Sequence, residues 1–247
     1  MNRWIGKIAV VTGASAGIGL ATARALLEHG MIVVGLARRK QKMLDDMKDL
    51  ANAKGKLYAL ECDLSKKDSI TEAFHWIKQN VGTVQVLINN AGCLTTGNFT
   101  ETTAEIWQNI VDVNLMGSIH CAIAAVKMMQ PDMCEGHIIN INSIQGHRVY
   151  IFNEISLNIY GATKHGITGF TEALQRELMG QNIRVTSLSP GLVETEIFKP
   201  YSDEAPGLKG PVLKPEDIAD SIIYVLGTPQ RVQITELIIR PLGESAF

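Results

Sequence analysis

The chain has 247 residues, of which 46% are hydrophobic and 19% are charged, and its formal net charge at pH 7 is −2. This composition is typical of a folded globular protein and excludes a disordered one, and the lack of a basic excess argues against nucleic acid as a partner. The four cysteines, Cys62, Cys93, Cys121 and Cys134, form no CxxC or Cys/His pairing. We therefore expect free thiols of an intracellular protein and no metal site.

Residues 1–6 are too short for a signal peptide, and no apolar run approaches the length of a membrane span. We expect a cytoplasmic protein with no membrane span.

Short apolar segments rich in β-branched residues alternate with longer amphipathic segments along most of the chain. Strands are predicted at residues 7–12, 31–37, 56–62, 84–90, 136–143, 183–190 and 234–241. Helices are predicted at residues 17–29, 40–53, 66–80, 103–130, 158–179 and 215–227. The first five strand segments show little polar alternation, as expected where both faces of a sheet are covered. The order predicts a single α/β domain over residues 1–247: a doubly wound parallel sheet of about seven strands with helices on both faces, or Rossmann fold.

The segment "TGASAGIG", residues 12–19, follows the first strand and carries Gly13, Gly17 and Gly19 at the start of a helix. Glycine permits a sharp turn and lets backbone N–H groups approach a pyrophosphate at a helix N-terminus. The spacing GxxxGxG differs from the commoner GxGxxG, and a glycine-rich turn alone could be an ordinary tight turn. Its place after the first strand favours dinucleotide binding, with Ser15 and Ile18 in the same loop.

The second strand ends in "ARRK", so that Ala37 occupies the position where an NAD-specific protein carries an acidic residue. Guanidinium groups bind a 2′-phosphate in a charge-assisted way, and Arg38 and Arg39 therefore predict NADP(H) in preference to NAD(H). Solvated turn charges are the alternative. After the third strand, Asp63 and its neighbour Leu64 are candidates to contact the adenine, although Asp63 could only cap the next helix.

Tyr160 and Lys164 are four positions apart and would face the same way on a helix. Together with the glycine loop, "NNAG" at 89–92, Asn114 in "DVNLMG" and Ser143 at the end of a strand, they resemble the short-chain dehydrogenase/reductase family over essentially the whole chain. The resemblance implies an enzyme that moves a hydride between an alcohol and a nicotinamide, with Tyr160 as general acid/base. A packed tyrosine, a solvated lysine and a structural serine or asparagine remain the alternatives.

The resemblance also assigns roles around the tyrosine. Lys164, together with the positive charge of an oxidised nicotinamide, is expected to lower the pKa of Tyr160, and Lys164 is also expected to reach the nicotinamide ribose. Ser143 is expected to hydrogen-bond the substrate oxygen. Asn114 is expected to interrupt its helix and to hold a water that links Lys164 to solvent. The remaining expected cofactor contacts are Asn90, Ala91 and Gly92 on the adenosine side, and Pro190, Gly191, Val193 and Thr195 around the nicotinamide and pyrophosphate.

Two segments are predicted to border the substrate. Ser143 and Tyr160 are separated by 17 positions, several more than is usual in the family, which indicates an inserted loop at residues 144–157; a surface loop is the alternative. The irregular stretch 191–214 is predicted to be a substrate loop or lid. The side chains expected to line the substrate pocket are Leu94, Ile144, Phe152, Leu192, Ile197 and Phe198.

Residues 137–149, the "ARR" end of the second strand and the tail "LKPEDIADSIIYVLGTP" resemble a narrower group, the insect farnesol dehydrogenase-like and dehydrogenase/reductase SDR family member 11 proteins. This resemblance implies a small lipophilic alcohol or carbonyl substrate, with farnesol as the leading candidate. A broad-specificity carbonyl, ketosteroid or xenobiotic reductase is the alternative, and a non-catalytic NADP-binding sensor is a third, of another class. The family also implies a homodimer or homotetramer.

Overall fold

The computed structural model describes residues 1–150, 156–201 and 210–244, and for residues 199–201 it describes the backbone alone. Seven parallel strands form one sheet in the order β3-β2-β1-β4-β5-β6-β7. The strands are β1 (Ile8–Thr12), β2 (Ile32–Ala37), β3 (Lys56–Glu61), β4 (Val84–Asn89), β5 (Gly136–Ile141), β6 (Ile183–Pro190) and β7 (Glu236–Ile239). The predicted α/β sheet is confirmed.

Seven helices accompany the sheet in the described part of the chain. They are α1 (Gly17–Glu28), α2 (Lys40–Asp46), α3 (Lys67–Asn80), α4 (Ala104–Val111), α5 (Ser118–Met129), α6 (Tyr160–Glu177) and α7 (Pro215–Gly227). One hydrophobic cluster joins α3, α5 and α6 to one face of the sheet, and a second joins α1, α2 and α7 to the other. Burial on both faces explains why strands such as β1 are wholly apolar or β-branched in sequence.

The edge strand β3 departs from the prediction that both faces of the first five strands are covered. Its ends are exposed and its middle is only partly buried, because β3 pairs with β2 alone. Tyr58 on this strand packs edge-on against Trp76 of α3, with ring centroids 6.0 Å apart. The aromatic pair therefore covers an edge that no further strand protects.

The predicted helix 103–130 is continuous but irregular. Between α4 and α5 the chain adopts a π-helical turn, Asp112–Gly117, with Asn114 buried at its centre. Such turns occur mostly at functional sites, and the predicted interruption at Asn114 is found here.

The same continuous stretch, Ala104–Met129, is 26 residues long and apolar enough to cross a membrane by length and composition. The prediction that no apolar run approaches that length therefore needs correction. In the fold α5 packs on β4 and α3, and the π-helical turn packs on α6. An internal helix that faces the sheet meets the same criteria of length and apolarity.

Candidate active site

A cleft of about 570 Å³ opens at the carboxyl ends of the strands, where the strand order reverses between β1 and β4. This is the place at which open α/β sheets bind ligands. The predicted cofactor and catalytic residues that line it are Gly13, Ser15, Gly17, Ile18, Arg38, Arg39, Asp63, Leu64, Asn90, Ala91, Gly92, Ser143, Tyr160, Lys164, Pro190, Gly191, Val193 and Thr195. Among the described residues, no group of three or more His, Cys, Asp or Glu side chains could hold a metal ion.

The glycine loop fits a pyrophosphate. Gly13 and Gly17 have φ values of 67° and 52°, in the left-handed region that favours glycine. A Cβ on Gly17 would lie 3.0 Å from Thr195 Cγ2, so a side chain there would fill the space between the loop and the opposite wall. No side chain caps α1, and the N–H groups of its first turn have no acceptor within the helix. They supply donors for an anion.

Gly19 lies behind the cleft. A Cβ on this residue would be 2.4 Å from both Asn90 Nδ2 and Gly13 O. Its role is therefore to let α1 pack closely on the end of β4.

The "NNAG" segment is fixed to the glycine loop by Thr12. The Oγ1 of Thr12 accepts hydrogen bonds from Asn90 N at 2.9 Å and Ala91 N at 3.0 Å. In the other direction, Asn90 Nδ2 donates to Thr12 O at 2.8 Å. The two walls of the cofactor half of the cleft are thus held at a fixed separation.

The end of the cleft beyond β2, where the adenosine is expected, carries both predicted arginines and no acidic residue at position 37. Ala37 is buried at the end of β2, and the exposed Arg38 and Arg39 follow it. Arg39 Nη1 forms an ion pair with Glu196 Oε2 at 3.0 Å. Glu196 also lines the cleft, and the sequence reasoning missed it because no local pattern relates it to Arg39.

Asp63 does not cap the following helix. Its Oδ1 accepts hydrogen bonds from Ser65 N at 3.1 Å and Ser65 Oγ at 2.8 Å, whereas α3 begins later, after Lys66, without a side-chain cap. The capping alternative is therefore wrong. The carboxylate closes a turn beside the cleft.

Ser143, Tyr160 and Lys164 meet at one end of the cleft. Tyr160 is the first residue of α6, and Lys164 lies one turn further with its Nζ 5.5 Å from the centre of the tyrosine ring. Lys164 Nζ donates to Ile141 O at 2.8 Å. Ser143 Oγ accepts from Gln145 N at 3.1 Å, which leaves its own hydrogen to donate.

Burial dominates the acidity of this group. Burial raises the pKa of Tyr160 to about 12. The hydrogen bond with Ser143 lowers this pKa, and Cys93 raises it further. Burial also lowers the pKa of Lys164 to about 8, an effect that Cys93 opposes. Removing the phenolate from water therefore sets the pKa of Tyr160 in the protein alone. The predicted lowering by Lys164 together with the positive charge of an oxidised nicotinamide stays a prediction.

Asn114 lies behind the cleft and is 1% exposed. Its Nδ2 donates to Cys93 O at 2.8 Å and to Thr163 Oγ1 at 3.3 Å. Its Oδ1 accepts from Cys93 N at 2.8 Å. The side chain therefore joins the segment after β4 to the helix that carries Tyr160.

The substrate half of the cleft is mainly apolar. The predicted pocket residues found in its lining are Leu94, Ile144, Leu192, Ile197 and Phe198. Phe152, also predicted there, lies outside the described residues. Val113 and Leu157 extend the apolar surface, and Cys93, Asn109 and Gln145 add polar atoms that the sequence reasoning missed. Cys93 directly follows "NNAG", a position that could have been included.

Side-chain amides hold the backbone at both ends of the segment 144–157, the predicted inserted loop. At its start, the Gln145 side chain pairs with the backbone of Tyr150, donating to its O at 2.9 Å and accepting from its N at 3.2 Å. At its end, Asn158 Nδ2 donates to Gly97 O and Thr102 Oγ1, both at 3.0 Å. The start of the loop is therefore held to itself, and the residue that follows the loop is tied to the segment between β4 and α4.

Comparisons with known proteins agree with this geometry. A family model described as short chain dehydrogenase matches residues 7–206. The chain is 45% identical to a farnesol dehydrogenase of Aedes aegypti, over 99% of each chain. It is 40% identical to dehydrogenase/reductase SDR family member 11 of Gallus gallus, over 98% of each. The solved structure of an alcohol dehydrogenase from the archaeon Thermococcus sibiricus, complexed with 5-hydroxy-NADP, superposes with a TM-score of 0.84 at 26% identity, covering 98% of this chain and 99% of that one.

Proposed function

The chain belongs to the short-chain dehydrogenase family of oxidoreductases, and from this premise we propose that it interconverts a lipophilic alcohol and its aldehyde or ketone with NADP(H). The observation that carries the proposal is the arrangement of one cleft: Ser143, Tyr160 and Lys164 at one end, Arg38 and Arg39 at the other. The glycine loop between them fits a pyrophosphate.

The proposed chemistry assigns proton transfer to Tyr160. A nicotinamide, when bound, supplies or accepts the hydride. Because the pKa of Tyr160 is raised to about 12, its phenol is protonated at neutral pH and is ready to donate to a carbonyl oxygen as the hydride arrives. The Ser143 hydroxyl, which hydrogen-bonds Tyr160, would turn its hydrogen to the same oxygen and hold it in line. Lys164, with its hydrogen bond to Ile141 O, would reach the ribose hydroxyls and hold the tyrosine in place.

The preference for NADP(H) over NAD(H) rests on charge. A 2′-phosphate is attracted by Arg38 and Arg39, and Ala37 offers no carboxylate to the ribose hydroxyls that NAD presents. The relative in the solved structure was complexed with 5-hydroxy-NADP, which agrees with this assignment.

Farnesol is the leading substrate candidate. The name of the Aedes aegypti relative, farnesol dehydrogenase, and the apolar side chains opposite Tyr160 support it. Within a proposed single domain spanning the chain, the described parts of the segments 144–157 and 191–214 are proposed to border this end of the cleft; residues 151–155 and 202–209 of these segments lie outside the described residues.

Turnover with matched variants tests the proposal. Purified protein is given NADP⁺ or NAD⁺ with farnesol, and NADPH with farnesal, a 17-ketosteroid or a simple diketone, while NADPH absorbance is followed. We expect farnesol oxidation with NADP⁺ and little with NAD⁺. Tyr160→Phe should abolish turnover and keep cofactor binding, whereas Tyr224→Phe, at an exposed position on α7, should be active. Turnover of the ketones alone would favour the broad carbonyl reductase, and cofactor binding with no turnover of any alcohol or carbonyl would favour the sensor.

The oligomeric state and the cellular location are proposed from the resemblance to the family. We propose a homodimer or homotetramer in the cytoplasm. Sedimentation of the purified protein would distinguish the two assemblies from a monomer.

A further inference from the structure

The segment after β6 crosses the cleft from the nicotinamide end towards the adenosine end. Thr195 packs against the glycine loop, where a Cβ on Gly17 would meet its methyl group at 3.0 Å. The next residue, Glu196, is thereby brought to the start of α2. Ile197, which follows, lines the apolar half of the cleft.

Glu196 is paired with two cations of the adenosine end. Its Oε2 lies 3.0 Å from Arg39 Nη1, and its Oε1 lies 3.6 Å from Lys42 Nζ. Lys42 is shared with Asp46, whose Oδ2 is 2.5 Å away. The Arg39 side chain is 54% exposed and that of Glu196 is 32% exposed, so a ligand in the cleft can reach this ion pair from solvent.

A carboxylate and a phosphate use the same guanidinium donors, and like charges on one site repel each other. We propose that Glu196 and the 2′-phosphate of the cofactor compete for Arg39, so that Glu196 weakens binding of ligands that carry this phosphate and sets how strongly the protein discriminates them from ligands that lack it. The inference rests on the proposed adenosine site and goes beyond it. Arg38 and Arg39 create the preference for the phosphate, and Glu196 limits it.

Binding of two nucleotide fragments tests the competition without any turnover. Adenosine 2′,5′-bisphosphate and 5′-AMP differ by the 2′-phosphate and carry no nicotinamide, and their dissociation constants can be measured by calorimetry. Removing a competing, partly exposed carboxylate should change affinity by the equivalent of a surface ion pair. We expect Glu196→Gln to tighten binding of the bisphosphate about threefold to tenfold and to leave 5′-AMP unchanged.

A second variant shows whether Arg39 is the shared partner. In an Arg39→Gln background, Glu196→Gln should give no gain for the bisphosphate. Glu194→Gln, the same change at an exposed position two residues earlier, is the matched control and should alter neither ligand. The competition is refuted if Glu196→Gln fails to tighten the bisphosphate, if it tightens both ligands equally, or if the gain persists without Arg39.

The same titrations separate the inference from the cofactor preference proposed above. Wild-type protein that binds both fragments equally, with a preference that emerges only in Glu196→Gln, would support the competition and overturn the NADP preference. Equal binding of the two fragments in wild type and in Glu196→Gln would overturn both the competition and the NADP preference. Activity toward any alcohol has no bearing on these readings, so failure of the substrate assignment is seen only in the turnover assay.

Discussion

Asn114 holds the backbone of Cys93 on both sides: its Oδ1 accepts from Cys93 N and its Nδ2 donates to Cys93 O, each at 2.8 Å. This paired contact resembles one rung of a sheet, made by a side chain from the middle of a π-helical turn. It fixes the cleft wall that passes beside Tyr160. Asn114 was predicted to hold a water near Lys164. It also has a structural role, because both its amide oxygen and its amide nitrogen bond the backbone of Cys93.

We predict that Asn114→Ala destabilises the protein by about 2–3 kcal/mol, because the buried amide is lost and two partly buried backbone groups of Cys93 lose their partner. Urea unfolding measures the change. Asn109→Ala is the control: Asn109 is exposed and its contact with Cys93 is a 3.9 Å hydrogen bond to Sγ, so its cost should stay below about 0.5 kcal/mol. Equal costs for the two variants would contradict the role given to Asn114.

The sequence located most of the cofactor half of the site because its residues lie in short motifs next to strand ends. Gly13 after β1, Asn90 after β4 and Ser143 after β5 follow this rule, whereas Tyr160 was found by its spacing to Lys164 within α6. Glu196 and Gln145 were missed because their partners, Arg39 and Tyr150, are set by loop geometry and leave no periodic signal. The burial that raises the pKa of Tyr160 in the protein alone could not be predicted, because the spacing to Lys164 shows proximity but not burial.

The close packing at Gly19 gives a prediction with a built-in control. Gly19→Ala would place a methyl group 2.4 Å from Asn90 Nδ2 and Gly13 O, and the backbone would have to move. We expect a loss of at least about 2 kcal/mol and a large loss of nucleotide affinity, measured by urea unfolding and calorimetry.

Gly169 is the matched control for this change. It lies inside α6, and a Cβ there would meet nothing within 4 Å. Gly169→Ala should stabilise the protein by about 0.5–1 kcal/mol, since alanine loses less backbone entropy in a helix. Similar behaviour of the two variants would show that Gly19 is not packed as described.

Element boundaries were the least predictable part of the fold. The predicted helix 40–53 ends as an α-helix at Asp46 and continues as a 3-10 turn, Lys48–Leu50. The predicted helix 158–179 begins two residues late, at Tyr160, because Asn158 has a φ of 53°. Apolar periodicity marks the length of a helix, whereas a single residue in the left-handed region decides where it starts.

Asn158 leads to a prediction about this start. Asn158→Gly keeps the left-handed backbone but loses the bonds to Gly97 O and Thr102 Oγ1, and should cost about 1–2 kcal/mol. Asn158→Ala loses the same two hydrogen bonds and should cost about 1 kcal/mol more, because alanine is strained in the left-handed backbone region. Because Tyr160 lies only two residues further along the chain, both variants should also lower kcat. Met133→Gly is the contrasting change: Met133 has a φ of 44° and is 85% exposed, so it should be neutral or stabilising. Urea unfolding should therefore give a lower free energy of unfolding for Asn158→Ala than for Asn158→Gly.

Lys164 is predicted to be destabilising at neutral pH. Burial lowers its pKa from 10.5 to about 8 in the folded protein, so the unfolded chain binds more protons between these two values. The contribution of Lys164 to the free energy of unfolding therefore rises with pH between about 8 and 10.5. Below about pH 8 the cost of burying the charged lysine is present in full. A shift of this size corresponds to about 3 kcal/mol, offset in part by the bond to Ile141 O.

Lys164→Met should therefore be more stable than wild type by about 2 kcal/mol at pH 7, while it loses activity. The advantage should shrink as the pH is raised from about 8 towards 9.5, because the wild-type lysine sheds its proton in the fold. Urea unfolding at several pH values measures this convergence. Lys67→Met, at an exposed position on α3, should show no such trend. If Lys164→Met is less stable than wild type at pH 7, the lysine is stabilised by its surroundings and the penalty assigned to burial is wrong.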